Sequence, residues 1–220
     1  MIKLENATRI YKGDTYEIAA INQINLSIDD GEFVAITGRS GSGKSTLLNI
    51  IGCMDNLTSG DYFLDGRKIT NLNPFQFDKV RKNNIAFIFQ KYELMSQYTV
   101  YENIELPLNV IKCNSTVKKK KIADIMERLQ ITGLEGKFPK QISGGEQQRV
   151  AIARAYVSDK KYLLADEPTG ALDEKNACEI MEIFKELSTE GKTIILVTHD
   201  SEVAACAKRI IRISNGQICE

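Results

Sequence analysis

The sequence has 220 residues and no net charge at neutral pH, with 43% hydrophobic and 26% charged residues. This balance is typical of a globular chain that buries a substantial core, and the zero net charge gives no support to nucleic-acid binding. Its five cysteines are widely spaced, without a C-x-x-C pair or a cluster with histidine, which argues against a disulfide framework or zinc site and favours a reducing compartment.

The amino-terminal residues predict β-structure and no targeting segment. The first six residues include an acid and no apolar signal-peptide core, and no apolar run approaches the ~18 residues of a membrane-spanning helix. Any role at a membrane is therefore expected to need a partner. Ile24, Leu26 and Ile28 alternate with polar residues, as in a half-buried strand. Tyr11 ends another short apolar stretch, where a lone tyrosine most often packs on the sheet.

The stretch Gly38–Thr46 has the pattern of a phosphate-binding loop. It reads G-x-x-x-x-G-K-[ST], and it lies between an apolar run at 32–37 and a helical pattern at 46–51. Glycines let the backbone N–H groups approach phosphates, Lys44 can bind the β- and γ-phosphates, and the Ser45 hydroxyl can bind Mg²⁺. An incidental Gly/Ser-rich surface loop is the alternative, which these flanks disfavour. The predicted nucleotide-binding residues are Gly38, Arg39, Ser40, Gly41, Ser42, Gly43, Lys44, Ser45 and Thr46.

The next segment predicts a hairpin, a helix and a buried strand. Asp65-Gly66 between apolar residues is a strong hairpin signal that would extend an antiparallel amino-terminal sheet. Residues 74–82 predict a helix. The apolar run Ile85–Phe89 is typical of a central strand in a parallel sheet, and Gln90 follows it.

Residues 91–158 show helical periodicity and predict an all-helical insertion in an α/β core. A helix over 100–109 should end or kink at Pro107. Ser115 is expected to cap the next helix, whose first turns carry the lysines at 118–121. These lysines predict a solvated face, with attraction to anionic lipid as the less favoured alternative.

Residues 141–149, QISGGEQQR, predict a second anion-binding helix start. Ser143 and Glu146 form a capping box that opens a helix. Gly144 and Gly145 leave backbone N–H groups uncovered in its first turn, which favours an anion site over a simple capped helix. A second anion site needs an explanation in a chain with one phosphate loop.

The apolar run at 162–165 predicts a strand that ends in Asp166 and Glu167. Ligands of open parallel sheets bind beyond the carboxyl ends of the strands. Asp166 is therefore expected to hold Mg²⁺ beside Ser45, and Glu167 to orient and deprotonate an attacking water. A solvated acidic turn is the alternative for Asp-Glu-Pro alone.

A helix over 174–187 and a strand over 193–198 complete a predicted βαβ unit, and Asn215-Gly216 signals a last hairpin. His199 directly follows the strand, so it should share the sheet edge with Gln90. A lone histidine is more often structural, but here it could contact the γ-phosphate, while Gln90 could contact Mg²⁺ or the water.

In this order and spacing, the motifs resemble those of an ATP-binding cassette ATPase along essentially all 220 residues. Ile142 and Ala165 stand where the family usually has leucine. The run ADEPTGALD, like residues 52–60, is instead similar to a subgroup with macrolide exporters, lipoprotein-releasing, peptide-antibiotic-detoxification and cell-division ATPases. The corresponding elements are GRSGSGKST for Walker A, Gln90 for the Q-loop, ISGGEQQ for the signature, YLLADE for Walker B, Gly170–Asp173 for the D-loop and His199 for the switch histidine.

The resemblance implies an α/β fold, a P-loop NTPase (RecA-like) core with an amino-terminal antiparallel β-subdomain and an inserted α-helical subdomain. The core would comprise 1–90 and 159–220 and the helical subdomain 91–158, within one domain. It also implies a head-to-tail dimer with two ATP molecules between the protomers. The implied roles are γ-phosphate contact across the dimer for Ser143, Gly144 and Gly145, adenine stacking for Tyr11, communication between the sites for Asp173, and action in hydrolysis for Lys44, Gln90, Glu167 and His199.

The resemblance further implies an ATPase at the cytoplasmic face of the membrane that powers a permease. Because the sequence ends at Glu220, we expect this permease to be a separate chain, exporting or extracting a peptide, antibiotic or lipid-linked substrate. A regulatory module that controls a membrane sensor or cell-wall hydrolase without transport is the alternative. A soluble translation or DNA-repair ATPase is disfavoured, because neither a second cassette nor a long coiled-coil insertion is present.

Overall fold

The computed structural model describes residues 1–13, 16–70 and 72–219, so Glu220 lies outside the described residues. The strands are β1 (Ile2–Lys12), β2 (Glu17–Ile28), β3 (Phe33–Thr37), β4 (Ser59–Leu64), β5 (Arg67–Lys68), β6 (Ile85–Ile88), β7 (Tyr162–Asp166), β8 (Thr193–Val197), β9 (Arg209–Ser214) and β10 (Gln217–Cys219). The α-helices are α1 (Lys44–Ile51), α2 (Pro74–Asn84), α3 (Val100–Val110), α4 (Ser115–Arg128), α5 (Gly144–Tyr156), α6 (Glu174–Thr189) and α7 (Ser201–Ala205).

Four strands form an antiparallel sheet in the order β2-β1-β4-β5, which confirms the predicted amino-terminal sheet. The turn at Asp65-Gly66 joins β4 to β5, and both of its residues have the positive φ of a tight hairpin turn, 51° and 75°. The strand predicted over residues 24–28 is the last part of the longer β2.

The second sheet has the order β10-β9-β3-β8-β7-β6. Neighbouring strands from β9 to β6 are parallel, and β10 returns antiparallel through the predicted hairpin at Asn215-Gly216. Every residue of β8 is buried, as expected for a strand covered on both faces. The adjacent, parallel β7 and β8 with α6 between them confirm the predicted βαβ unit.

The parallel sheet is the middle layer of the molecule. Phe33 and Ala35 face one hydrophobic cluster, which includes the buried residues of helices α3 to α6. Val34 and Ile36 face the other cluster, which includes α1 and the inner face of the antiparallel sheet. The observed architecture is therefore α/β with an added antiparallel sheet, as predicted. The division into a core and a helical subdomain at residues 91–158 stays a prediction.

Two helix ends differ from the sequence prediction. Of the two alternatives predicted at Pro107, an end of the helix is wrong, because α3 continues to Val110, and a kink stays a prediction. Proline removes one backbone hydrogen bond, but Ile104 and Leu108 are fully buried on either side of it, and their packing outweighs that loss. The cap of α4 is Asn114 instead of Ser115: the Asn114 side chain accepts the N–H of Thr116, and asparagine is at least as good a cap as serine.

No helix among the described residues has the length and apolar character needed to cross a bilayer. All five cysteines are free thiols.

Candidate nucleotide-binding site

The predicted phosphate-binding loop connects β3 to α1. It curls through positive φ at Gly38, Gly41 and Gly43. A Cβ atom on Gly38 would lie 2.2 Å from the carbonyl oxygen of Ile213, and one on Gly43 would lie 2.2 Å from that of Ala20. Only glycine fits these two positions, because both the backbone angle and the neighbouring backbone exclude a side chain.

Lys44 is the first residue of α1 and is almost fully buried. Its ammonium group donates to the carbonyl oxygens of Gly38, at 2.9 Å, and of Arg39, at 3.0 Å. These two bonds use two of the three ammonium hydrogens and hold the charge inside the loop. One hydrogen is left for a ligand.

Ser45 and Asp166 meet at the carboxyl edge of the parallel sheet. The Ser45 hydroxyl lies 3.4 Å from Oδ1 of Asp166, the last residue of β7. Burial raises the pKa of Asp166, opposed by the Ser45 hydrogen bond and the charge of Lys44. Two oxygen donors side by side, one of them a carboxylate, suit Mg²⁺, which prefers hard oxygen ligands.

Glu167 and His199 are neighbours at the same edge. The Nδ1 atom of His199 lies 2.8 Å from Oε1 of Glu167. Glu167 has a left-handed backbone with φ 47°, and its N–H donates to the carbonyl oxygen of Val197, which ties the end of β7 to the end of β8. The carboxylate is 16% exposed and the imidazole 70% exposed, so the pair borders on solvent.

A cavity of about 840 Å³ joins these groups, a size typical of small-molecule sites. The phosphate loop, Glu167 and His199 line it together with Ile18, Ala19, Ala20, Asn215 and Gly216. Sequence analysis assigned no site role to these last five residues, since their position beside the phosphate loop depends on tertiary contacts. The N–H of Gly216 donates to the carbonyl oxygen of Ser42 at 3.0 Å, which places the last hairpin against the loop.

Tyr11 lies beside this cavity without being among its lining residues. It pairs across the strands with Ile18, which does line the cavity. Its hydroxyl donates to Asp55 at 2.6 Å, and the Arg9 guanidinium lies 4.6 Å from its ring centroid. The adenine-stacking role of Tyr11 stays a prediction.

Gln90 lies two residues beyond β6, against the predicted D-loop. Its Nε2 atom lies 2.9 Å from the position of a Cβ on Gly170. Gln90 is not among the residues lining the large cavity, so its predicted contact with metal or water stays a prediction.

Ser143, Gly144 and Gly145 start α5 as predicted. The capping box is present: the Glu146 N–H donates to Ser143 Oγ at 3.3 Å, and the Ser143 N–H donates to the Glu146 carboxylate at 2.7 Å. A Cβ on Gly145 would lie 2.4 Å from Oδ1 of Asn176.

Asp173 is connected to this helix start through Asn176. Asp173 caps α6, and its carboxylate accepts hydrogen bonds from the backbone and side chain of Asn176. Neither Asp173 nor the first residues of α5 line the cavity of the phosphate loop. Within the described residues of one chain, the predicted site therefore consists of two separate groups.

The chain is similar to known proteins along most of its length. The family model described as ABC transporter matches residues 21–170. The macrolide export ATP-binding/permease protein MacB of Bartonella quintana is 45% identical over 218 residues, which cover 99% of this chain and 33% of that protein. This chain thus spans about a third of the length of that relative.

A second relative has nearly the same length as this chain. The uncharacterized ABC transporter ATP-binding protein MJ0796 of Methanocaldococcus jannaschii is 45% identical, over 99% of this chain and 95% of that protein. A solved dimeric structure of MJ0796, in a post-hydrolysis state bound to ADP and Pi, has a TM-score of 0.92 and 41% identity. The structural match covers 100% of this chain and 97% of the MJ0796 chain.

Proposed function

The chain belongs to the ABC transporter family and is an ATPase of that family, and from this premise we propose that two copies form a head-to-tail dimer with two ATP sites. The separation of the two groups of site residues carries this proposal. The phosphate loop of one protomer would hold the ATP phosphates, and Ser143, Gly144 and Gly145 of the other would contact the γ-phosphate from the opposite side. The dimeric structure of the similar MJ0796 supports this arrangement.

In this proposal Glu167 is the general base. One carboxylate oxygen is within hydrogen-bonding distance of His199, which would keep the side chain directed at the cavity, and the other can take a proton from the attacking water. Lys44 offsets the negative charge that develops on the phosphates as the bond to the γ-phosphorus breaks. Ser45 and Asp166 would hold Mg²⁺, which neutralises phosphate charge when bound.

The remaining predicted site residues have supporting roles in this proposal. Gln90 would sense the metal or the water, Tyr11 would stack on the adenine, and Asp173 would connect the two ATP sites. The position of Gln90 against Gly170 supports the role of Gln90, and the bonds of Asp173 to Asn176, beside Gly145, support that of Asp173.

The substitution Glu167→Gln tests the base. It removes the proton acceptor but keeps the size and the ability to hydrogen-bond, so we expect ATP binding to persist, the dimer to accumulate and turnover to fall by at least about 10²-fold. Light scattering with ATP measures the dimer, and phosphate release measures turnover. Glu182→Gln on the exposed face of α6 is the matched control. Near-normal turnover of the Glu167→Gln protein would contradict the assignment.

We further propose that the ATPase works at the cytoplasmic face of a membrane and powers an integral permease on a separate chain. The exported or extracted substrate would be a peptide, an antibiotic or a lipid-linked molecule. The name of the similar MacB joins an ATP-binding part to a permease part, which supports this pairing. The predicted helical subdomain at 91–158, including the segment at 92–98, would face the permease. Exposed side chains there, Met95, Tyr98, Val110 and Ile111, suit such a contact.

Co-purification from native membranes tests the pairing. We expect a membrane protein with a translocation pathway to accompany the ATPase. A partner with a long extracellular domain and no such pathway would instead support the regulatory alternative.

A further inference from the structure

The segment after Gln90 has an unusual backbone. Tyr92 and Glu93 are consecutive residues with left-handed φ angles of 60° and 48°. Residues with a side chain rarely adopt this conformation, and two in succession persist only where surrounding contacts hold them.

Arg154 provides such contacts from α5. Its guanidinium donates to the carbonyl oxygen of Tyr92 at 2.8 Å and to that of Glu93 at 2.5 Å. These are the two left-handed residues, and the planar fork of arginine suits two neighbouring acceptors. Burial lowers the pKa of Arg154, opposed by the charge of Glu93. A partly buried cation is thus used to hold two backbone carbonyl groups.

Tyr92 also contacts the opposite end of α5. Its hydroxyl oxygen lies 3.0 Å from the position of a Cβ on Gly144, the first residue of that helix. Gly144 and Arg154 are ten positions apart, about 15 Å along the helix axis. Helical side chains point toward the helix N-terminus, so the long Arg154 side chain covers part of this distance to the Tyr92 carbonyl oxygen. Tyr92 therefore lies along α5, with its carbonyl group held by Arg154 and its hydroxyl against the start of the helix.

We propose that Arg154 is a positioning residue for the ATP site. By holding Tyr92 and Glu93 in the left-handed conformation, it sets the position of Gln90 at one end of the segment and presses the Tyr92 side chain against Gly144. Arg154 thereby aligns the half-site that one protomer offers to the ATP of its partner. This inference rests on the proposed dimer, because only there do Gly144 and its neighbours contact a nucleotide.

The test combines Arg154→Met with the Glu167→Gln substitution, which makes the ATP-bound dimer measurable. We expect ATP binding by the monomer to be unchanged and ATP-dependent dimerisation to weaken by about tenfold, a coupling usual for residues in direct contact. A purely stabilising role of Arg154 would lower the melting temperature without this split between binding and dimerisation. Arg154→Lys keeps the charge and stem but can hold only one carbonyl well, so it should weaken dimerisation less, and it replaces Arg154→Met if that variant does not fold.

A second substitution tests whether Arg154 acts by holding the left-handed backbone. Glu93→Gly removes the conformational cost of one left-handed residue, so we expect it to restore part of the dimerisation lost with Arg154→Met. The matched control is Arg149→Met on the same helix, whose hydrogen bonds go to Leu129 and Glu179. This control should lower stability without a selective loss of dimerisation.

The possible results separate the inference from the function on which it rests. If the Glu167→Gln protein with Arg154 intact does not dimerise with ATP, the proposed dimer is wrong. If that protein dimerises and Arg154→Met or Arg154→Lys dimerises equally well, the positioning role is wrong. Equal losses for Arg149→Met, or no rescue by Glu93→Gly, would also overturn it.

Discussion

Two aspartates near opposite ends of β7 have pKa values shifted in opposite directions: Asp166, the last residue of the strand, and Asp65, in the turn between β4 and β5. Asp166 ends the strand beside Ser45, and its burial raises the pKa. Asp65 lies against the start of the strand, where burial also opposes ionisation. There, hydrogen bonds from Lys161, the Met1 amino group and Tyr162 outweigh burial and lower the pKa to about 2. The difference follows from the number of hydrogen-bond donors that reach each carboxylate. Asp166 has the Ser45 hydroxyl, whereas Asp65 has three donors.

The Asp65 cluster predicts a pH-dependent contribution to stability. The pKa of Asp65 in the folded chain, about 2, lies below its ordinary value of 3.8, so ionised Asp65 stabilises the fold above about pH 4. This contribution is lost as the pH falls from about 4 to about 2. We expect Asp65→Asn to lower the free energy of unfolding at pH 7 by about 1 kcal/mol, a value reduced for solvent screening because the side chain is 40% exposed.

Urea denaturation of both proteins between pH 3 and pH 7 measures this difference. The difference should shrink toward pH 3, and 1 M salt should reduce it at pH 7, because salt screens the ion pair of Asp65 with Lys161. A difference that stays constant with pH, or grows as the pH falls, would contradict the assigned role of Asp65.

Sequence motifs predicted which residues belong to the site better than they predicted which residues contact one another there. Gly38, Gly41, Gly43, Lys44, Ser45, Glu167 and His199 line one cavity. Asp166 is not among the lining residues, but its carboxylate lies 3.4 Å from the Ser45 hydroxyl. The roles of these residues stay predictions. The pairing of His199 with Glu167 and the contact of Gly216 with Ser42 were not predicted. Both depend on how neighbouring strands are aligned, which no local pattern in the sequence specifies.

At the scale of single elements, side-chain caps open the described α-helices other than α1, which begins after Gly43 without one. Complete capping boxes open α2 at Asn73, α3 at Thr99 and α5 at Ser143. At Thr99 the hydroxyl accepts the N–H of Glu102 at 3.2 Å, and the Glu102 carboxylate accepts the N–H of Thr99 at 2.7 Å. The α3 box satisfies two backbone N–H groups at the point where an irregular segment becomes a helix.

We therefore expect Thr99→Ala to lower the free energy of unfolding by about 1 kcal/mol, the usual value of such a cap. Thr99→Ser keeps the hydroxyl and serves as the matched control, with most of the stability retained. Thermal and urea denaturation measure both variants. Equal stability of the alanine and serine variants would show that the cap of α3 contributes little.

The elements themselves were largely predictable, and their exceptions have physical causes. Short apolar runs located β6, β7 and β8, because strands buried on both faces need no polar residues. The continuation of α3 through Pro107 was not predictable, since it depends on the packing of Ile104 and Leu108. The left-handed segment at Tyr92 and Glu93 also escaped prediction, because neither residue is a glycine and its hydrogen-bond donor, Arg154, is about sixty positions away in the sequence.

At the scale of the whole molecule, the topology explains why one chain offers two separated anion-binding groups. The phosphate loop follows the central strand β3, whereas α5 lies in the helical layer on one face of the sheet. No residue of the α5 start lines the 840 Å³ cavity in the described chain. A site that needs both groups is completed by a second copy in the proposed dimer.

This division predicts that ATP hydrolysis depends on protein concentration. A monomer should bind ATP through the phosphate loop but hydrolyse it poorly, because its γ-phosphate has no contact with Ser143, Gly144 and Gly145. We expect the specific activity to fall as the protein is diluted below the dimer dissociation constant, while ATP binding per chain stays constant. Phosphate release and light scattering over the same dilution series measure both quantities. Constant specific activity down to a demonstrably monomeric state would contradict the shared site.

Mixing two inactive variants gives the control for this prediction. Lys44→Ala damages the phosphate loop and Ser143→Arg damages the start of α5, so each homodimer has two damaged sites. In a mixed dimer both defects fall in one site and leave the other intact. At concentrations that favour the dimer, an equal mixture should regain up to about a quarter of the normal activity, since half of the dimers are mixed and each has one intact site of two. A site formed within a single chain predicts no recovery, because each chain keeps its own defect.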